Sequence, residues 1–281
     1  MTSKNDSPVP PARGRGRRWH AALVVALGVS ATVLTVSGPA RADVLPLLPQ
    51  NASGLEQTFS PALDYDRDGC YSTAAVTSPY RTNPGLSPSG SPDVPCRQFD
   101  RLQNSNQYAR AKCNNGWCAI MYASYFEKDQ DCWSIPETTC GHRHDWEHVI
   151  VWVNNNQARY VSASAHGNWN TQPASNVRFD PSGTHPKIVY HKDGAGTHAF
   201  RFANASDDAV ENHTGGWFYP RLIGWQGYPG AASGDPSFRN AFVYHTDFGS
   251  AHLEIGTASM EYQLGRAKPA GISFDPAGSW S

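Results

Sequence analysis

The chain has 281 residues, 39% hydrophobic and 17% charged, which allows a buried core and excludes a disordered polymer. Six of its 23 basic and one of its 24 acidic residues fall in the first 42 positions, so the remainder carries a net charge of −6. That sign excludes a general attraction for nucleic acid or anionic lipid.

Residues 1–42 read as an export signal. Arg13, Arg15, Arg17 and Arg18 precede an uncharged apolar stretch, Ala21 to Val36, and Ala40-Arg41-Ala42 is a small-x-small cleavage site. The alternative, a membrane anchor, is disfavoured by Ser37, Gly38 and Pro39 just before that site. A secreted, extracellular protein is expected, with residues 43–281 as a single domain.

The 25 Gly, 21 Pro and many aromatic residues favour short strands over long helices. Residues 43–60 form a Pro-containing lead-in. Asp64-x-Asp66-x-Asp68-Gly69 matches the opening of a calcium loop, but Ala75 stands where the bidentate acid belongs, so an Asp-rich turn is preferred. Residues 78–96 are crowded with Pro, Gly and Ser and predict loop. Gln98 to Lys112 is expected to hold a short helix. Ala119 to Phe126 and Trp146 to Val153 predict buried strands, and Arg159 to Ala165 pairs with the latter as a hairpin. Pro186 to His191 and Thr197 to Phe202 predict another hairpin. The last eighty residues read as irregular, and scattered Trp169, Trp217, Trp225 and Tyr228 suit core better than a lipid interface.

All six cysteines follow the cleavage site, and an even number in an exported chain predicts disulfides. The sequence-local pairing Cys70–Cys96, Cys113–Cys118, Cys132–Cys140 is preferred among fifteen. No C-x-x-C is present to suggest a zinc-cysteine site.

The densest group of ligand-type residues is His142-Arg143-His144-Asp145-Trp146-Glu147-His148, at the entry to a strand. Side chains two apart on a strand share a face, so Asp145 and Glu147 project together, with Val149, Val151 and Val153 continuing into core. Two carboxylates held that close repel unless a proton or cation lies between them. Asp129, beyond the preceding strand, is a third. Oxygen-rich ligation suits Mg²⁺ or Ca²⁺ better than Zn²⁺, and His142 or His144 is expected to join directly or through water. A surface ion-pair cluster around Arg143 is the plainer alternative. An inverted zinc-protease pattern, His144-x-x-Glu147-His148, is the enzymatic one, but it needs a helix, and Val149 to Val153 is a strand former. His166 and His198 stand at strand ends, where either can line the mouth.

Gly141 to Glu147 resembles the central motif of the necrosis- and ethylene-inducing peptide-like proteins (NLPs). Ala119 to Asp129, His148 to Val153, Ser162 to Gly167, His185 to Tyr190 and Thr197 to Ala199 are similar to the family in the same order, so the likeness covers roughly residues 60–255. The six cysteines resemble the multi-disulfide, bacterial-type members. The resemblance implies an actinoporin-like antiparallel β-sandwich with a few short flanking helices. It implies no catalysis, a monomer, and binding to the sugar head groups of plant glycosylinositol phosphorylceramide sphingolipids with membrane damage. It places a divalent cation, Mg or Ca, at Asp129, His142, Asp145 and Glu147, with Arg143, His144 and His198 lining or supporting the cavity. Cytolytic members carry a Trp just before that last histidine. Lys192-Asp193-Gly194-Ala195-Gly196 has none, a departure that bears on lysis and not on the metal residues. Two alternatives stand beside the cytolysin: a non-lytic carbohydrate-binding module, and a secreted metal-dependent hydrolase.

Overall fold

The structure, a computed structural model, describes residues 43–78, 81–130, 132, 141–194, 197–228, 239, 242–243 and 248–280. The expected export signal lies outside them. No helix among the described residues is long and apolar enough to cross a membrane.

A six-stranded sheet dominates. Its strands are β4 (Asn106–Asn114), β5 (Trp117–Asp129), β6 (His142–Asn154), β7 (Gln157–Ala165), β8 (Asn168–Pro173) and β11 (Arg221–Gly224), in the order β11-β4-β5-β6-β7-β8. A second sheet contains β1 (Ala62–Tyr65), β9 (Lys187–Lys192) and β10 (His198–Phe202), with β9 central. The two-residue strands β2 (Val76–Thr77) and β3 (Arg81–Thr82) pair separately. Pairing is antiparallel except for β1 with β9 and β11 with β4, which are parallel.

The sheets close on one core. Leu63, Tyr65, Ile188, Tyr190 and Phe200 from the small sheet meet Ile120, Tyr122, Phe126, Val149, Val151 and Val161 from the large one. The opposite face of the large sheet is covered too. Helix α3 (Thr257–Ala267) lays Met260, Leu264 and Ala267 over Met121, Ile150 and Trp152. Phe242, Phe248 and Leu253 cover Tyr108, Tyr125 and Trp146. A strand buried on both faces needs no polar alternation, which explains the uninterrupted Val149 to Val153 run.

The short helix expected within Gln98 to Lys112 is present, and the structure around it, in the lead-in and in the C-terminal region goes beyond the expectations. The stretch Gln98 to Lys112 holds only a five-residue helix, α2 (Phe99–Gln103), and then becomes β4. Its polar side chains are buried with partners: Gln107 donates to Ser124, Arg110 to the Ile255 carbonyl, and Lys112 to Glu261. The lead-in contains α1 (Gly54–Thr58), started by a capping box in which Ser53 and Glu56 each take the other's backbone N–H. The C-terminal region supplies β11 and α3 rather than irregular chain.

Cys70–Cys96 and Cys113–Cys118 are bonded as expected, the latter across the β4–β5 ladder. The third expected pair includes Cys140, outside the described residues.

Candidate metal centre

β5 ends and β6 begins at one edge of the sandwich, with Asp129 directly opposite His142 in the ladder. The return is made through Gly141, at φ +88°, where a Cβ would fall 1.9 Å from the Asp129 carbonyl oxygen. Only glycine permits that approach. Three residues on, His144 adopts φ +60° within the strand. His142 and Asp145 are three apart, an odd separation that a regular strand would turn to opposite faces. The left-handed residue between them breaks the alternation, and both reach one place. Ligand atoms of Asp129, His142 and Asp145 lie within 4.8 Å of one another.

The imidazole is prepared as a ligand. His142 Nδ1 stands 2.7 Å from the His144 carbonyl oxygen and donates to it, so Nε2 carries the lone pair. Nε2 lies 3.9 Å from Asp129 Oδ2. Asp129 is itself buried and accepts the His198 backbone N–H at 2.9 Å and His198 Nδ1 at 2.7 Å. Tyr190 donates its hydroxyl to Asp145 Oδ2 at 3.3 Å. Glu147 stands outside the close trio. It lines the same cleft and takes a short hydrogen bond from Ser164.

The acids are not neutralised by these contacts. Burial first, and then the charge of Asp129, pushes the Asp145 carboxyl up to about 7, against the opposing pull of His142. Burial and the neighbouring Asp145 push Glu147 well above the ordinary carboxylate range, although Ser164 opposes them. Burial lowers the His198 imidazole, but its hydrogen bond to Asp129 and the neighbouring Asp68 carboxylate outweigh it and hold the ring at about 9. His198 is therefore a cation at neutral pH, between Asp129 and Asp68, with Nε2 3.6 Å from Asp68. The cleft of about 230 Å³ still presents more negative than positive charge. A divalent cation answers it: three oxygen or nitrogen donors are already converged, one of them a histidine with its lone pair fixed inward.

Other expected site residues are placed differently. Arg143 does not line the cleft. It is exposed, and its guanidinium donates to the Pro84 and Gly85 carbonyls rather than to either acid. The surface ion-pair alternative therefore does not form. His144 is buried against Phe248, with Nδ1 2.6 Å from the Tyr125 hydroxyl. It supports the site through its carbonyl, which takes the His142 Nδ1–H. His148 is buried, accepts the Glu254 N–H, and is lowered to about 3 by burial. With β6 a strand, the helical zinc-protease arrangement is not assembled. His166 lines the cleft, as does His198.

Sequence reasoning missed three supporting residues: Ser164, Tyr190 and Asp68. Tyr190 stacks on His198, with ring centroids 5.0 Å apart, while its hydroxyl reaches Asp145. The Ser162 to Gly167 and His185 to Tyr190 segments carried signal as strands and as part of the family likeness, with no role for Ser164 or Tyr190. Asp68 was visible as one of three acids in a turn, and nothing in the spacing ties it to His198.

The site belongs to a β-sandwich toxin class. Residues 53–267 match the family described as Necrosis inducing protein (NPP1), and the chain belongs to that family. It is 31% identical to NLP effector protein 10 of Phytophthora capsici over 254 residues, covering 87% of this chain and 97% of that one. It is also 31% identical to necrosis-inducing protein NPP1 of Phytophthora nicotianae, over 87% and 97% of the two chains. Among solved structures, NLPPya in complex with mannosamine superposes with a TM-score of 0.64 at 30% identity, covering 81% of this chain and 97% of that one. Non-toxic HaNLP3 superposes with a TM-score of 0.64 at 25% identity, over 83% and 100%.

Proposed function

We propose that the chain is a secreted, metal-dependent cytolysin, which binds the sugar head groups of plant plasma-membrane sphingolipids as a monomer and acts by binding rather than catalysis. The observation that carries this reading is the convergence of Asp129, His142 and Asp145, with Glu147 behind them, on a cleft too acidic to stand alone. Bound there, Mg²⁺ or Ca²⁺ supplies positive charge and open coordination sites that sugar hydroxyls can fill. A chain with net negative charge has no other general means of approaching an anionic head group. The relative solved with mannosamine, and another state solved with glucosamine, support a sugar as the ligand class.

The test is dye release from vesicles containing glycosylinositol phosphorylceramide, with and without chelator. Metal-dependent release is expected. Neither binding nor release in the presence of Mg²⁺ and Ca²⁺ would end the reading.

A second reading has its own observation. The segment Lys192 to Thr197 contains no Trp, and one structural relative is described as non-toxic. On that reading the metal and sugar are bound and the membrane is not broken. Vesicle binding without dye release distinguishes it.

A further inference from the structure

A second cavity opens at the β11–β4 edge of the large sheet. It holds about 430 Å³ and is lined by Glu56 of α1, Arg110 of β4, Trp225 and Gln226 after β11, and Trp280. It shares no lining residue with the metal cleft. In the sheet order, β4 and β11 stand on the far side of β5 from β6.

The two indoles are fixed in place. The Arg110 guanidinium lies between them, 3.8 Å from the Trp225 ring centre and 3.7 Å from that of Trp280. Hydrogen bonds to the Ile255 carbonyl at 2.9 Å and the Thr257 hydroxyl at 3.1 Å hold the guanidinium there. Trp280 Nε1 donates to Glu261 at 2.7 Å, and Lys112 Nζ stands 4.6 Å from the same ring. Both rings nevertheless remain only partly buried. An aromatic surface that is locked by its neighbours and still open to solvent is preorganised for a ligand, because little side-chain freedom is left to lose.

The same cavity contains Glu56, 6% exposed. Its carboxylate takes the Ser53 N–H at 2.7 Å, yet no arginine or lysine pairs with it among the described residues. Burial, the largest influence on it, pushes the carboxyl up. Its remaining lone pairs can accept from a ligand. Gln226 stands exposed at the rim, with an amide that both donates and accepts.

These features select among ligand classes. An apolar molecule would cover Glu56 without offering it a donor. An anion would be repelled by Glu56, and a cation would meet Arg110 at the indole faces. A neutral sugar suits every part: its hydroxyls donate to the carboxylate, exchange hydrogen bonds with the amide, and leave a C–H face for an indole.

We propose that this cavity is a second carbohydrate site, which takes a neutral saccharide without metal. It goes beyond the metal-centred reading and does not depend on it. Holding sugar at two separate places would add avidity on a sugar-bearing surface.

The test is calorimetric titration of the full mature chain in chelator, with the methyl glycosides of glucose, galactose and mannose and with their disaccharides. At least one of them should bind with a Kd of about 1 mM or tighter. Trp280→Ala should weaken that binding about tenfold, and Gln226→Ala about threefold. Trp280→Phe keeps an aromatic face and should retain part of the affinity. Circular dichroism checks the fold of each variant, and Gln226→Ala, at an exposed position, carries the test if Trp280→Ala does not fold. Divalent-cation affinity should stay within about twofold in all three, since the two sites share no residue. No saccharide bound in chelator, or binding untouched by all three variants, would overturn the proposal. Sugar bound only when Mg²⁺ or Ca²⁺ is present would remove the second site and leave the metal-centred reading standing. Sugar bound in chelator, with no metal-dependent binding to sphingolipid vesicles, would do the reverse.

Discussion

Two groups of carboxylates sit at neighbouring places in this protein, and they are treated in opposite ways. In the turn at Asp64 to Asp68, protein donors are assigned to each acid. Asp64 accepts the backbone N–H groups of Tyr65 and Glu211, Asp66 pairs with Arg201 at 3.4 Å, and Asp68 faces His198. Arg201 also grips Asp207 through two hydrogen bonds of 2.7 Å. At the start of β6, Asp145 has a tyrosine hydroxyl, the Trp146 backbone and the His142 imidazole, Glu147 has a serine hydroxyl, and among the described residues no arginine or lysine lines their cleft. Burial does raise Asp66 to about 6, with Arg201 opposing, so the contrast is one of degree at that residue. Asp68, by contrast, is held below its ordinary value, chiefly by the His198 imidazole beside it. Acidic composition is therefore a poor guide to a cation site, and missing protein cations are a better one.

The sharpest way to break the comparison is to remove a carboxylate from each group. Asp145→Asn should lower divalent-cation affinity about 100-fold or more, measured by calorimetry, because it deletes a ligand outright. It should abolish sphingolipid-vesicle binding with it, while the fold persists, since the amide relieves charge repulsion. Retained cation affinity would remove Asp145 from the centre.

A second experiment uses pH. With chelator present, the Asp145 carboxyl is raised to about 7, so the folded chain keeps a proton that the unfolded chain releases near pH 4. That contribution to stability is complete below about pH 4 and is lost as pH rises through about 7. Glu147 is raised too and acts in the same direction. The chelated protein should therefore melt lower at pH 8 than at pH 5, by on the order of 5 °C. Excess Ca²⁺ or Mg²⁺ replaces the proton and should flatten the slope. A slope unchanged by metal would mean that the cation goes elsewhere.

How much of this was legible beforehand follows from where the information lies. The strands β5, β6, β7, β9 and β10 show themselves because β-branched and aromatic runs are local signals. So does the set Asp129, His142, Asp145 and Glu147, partly by alternation and partly by motif. Strand β4 was hidden because its buried Gln107, Arg110 and Lys112 look like an exposed helix until Ser124, Ile255 and Glu261 are brought to them. Helix α3 is short and its apolar positions are few, so packing against Ile150 and Trp152 makes it visible and its own sequence does not. The φ of His144 could not be read from the residue type. It turns the His144 carbonyl to His142, so that of the two histidines His142 joins the acids and His144 supports it.

The links between the two acid groups give smaller effects. His198 is the joint, held between Asp129 on one side and Asp68 on the other. Asp68→Asn leaves every ligand of the trio in place and removes only the far anchor of His198. It should weaken cation affinity about tenfold, as expected for a group that orients a ligand's partner. Its second readout is the His198 imidazole itself, now at about 9, which should move down when followed by NMR. An unshifted histidine with unchanged metal affinity would show that Asp68 only shapes the turn. Asp66→Asn is the smallest change. Arg201 retains its bidentate hold on Asp207, and a half-exposed ion pair of this kind contributes up to about 1 kcal/mol. Metal affinity and vesicle binding should stay within twofold of the parent. A larger loss would mean that the turn and the cleft share one electrostatic site, and the contrast between them would no longer hold.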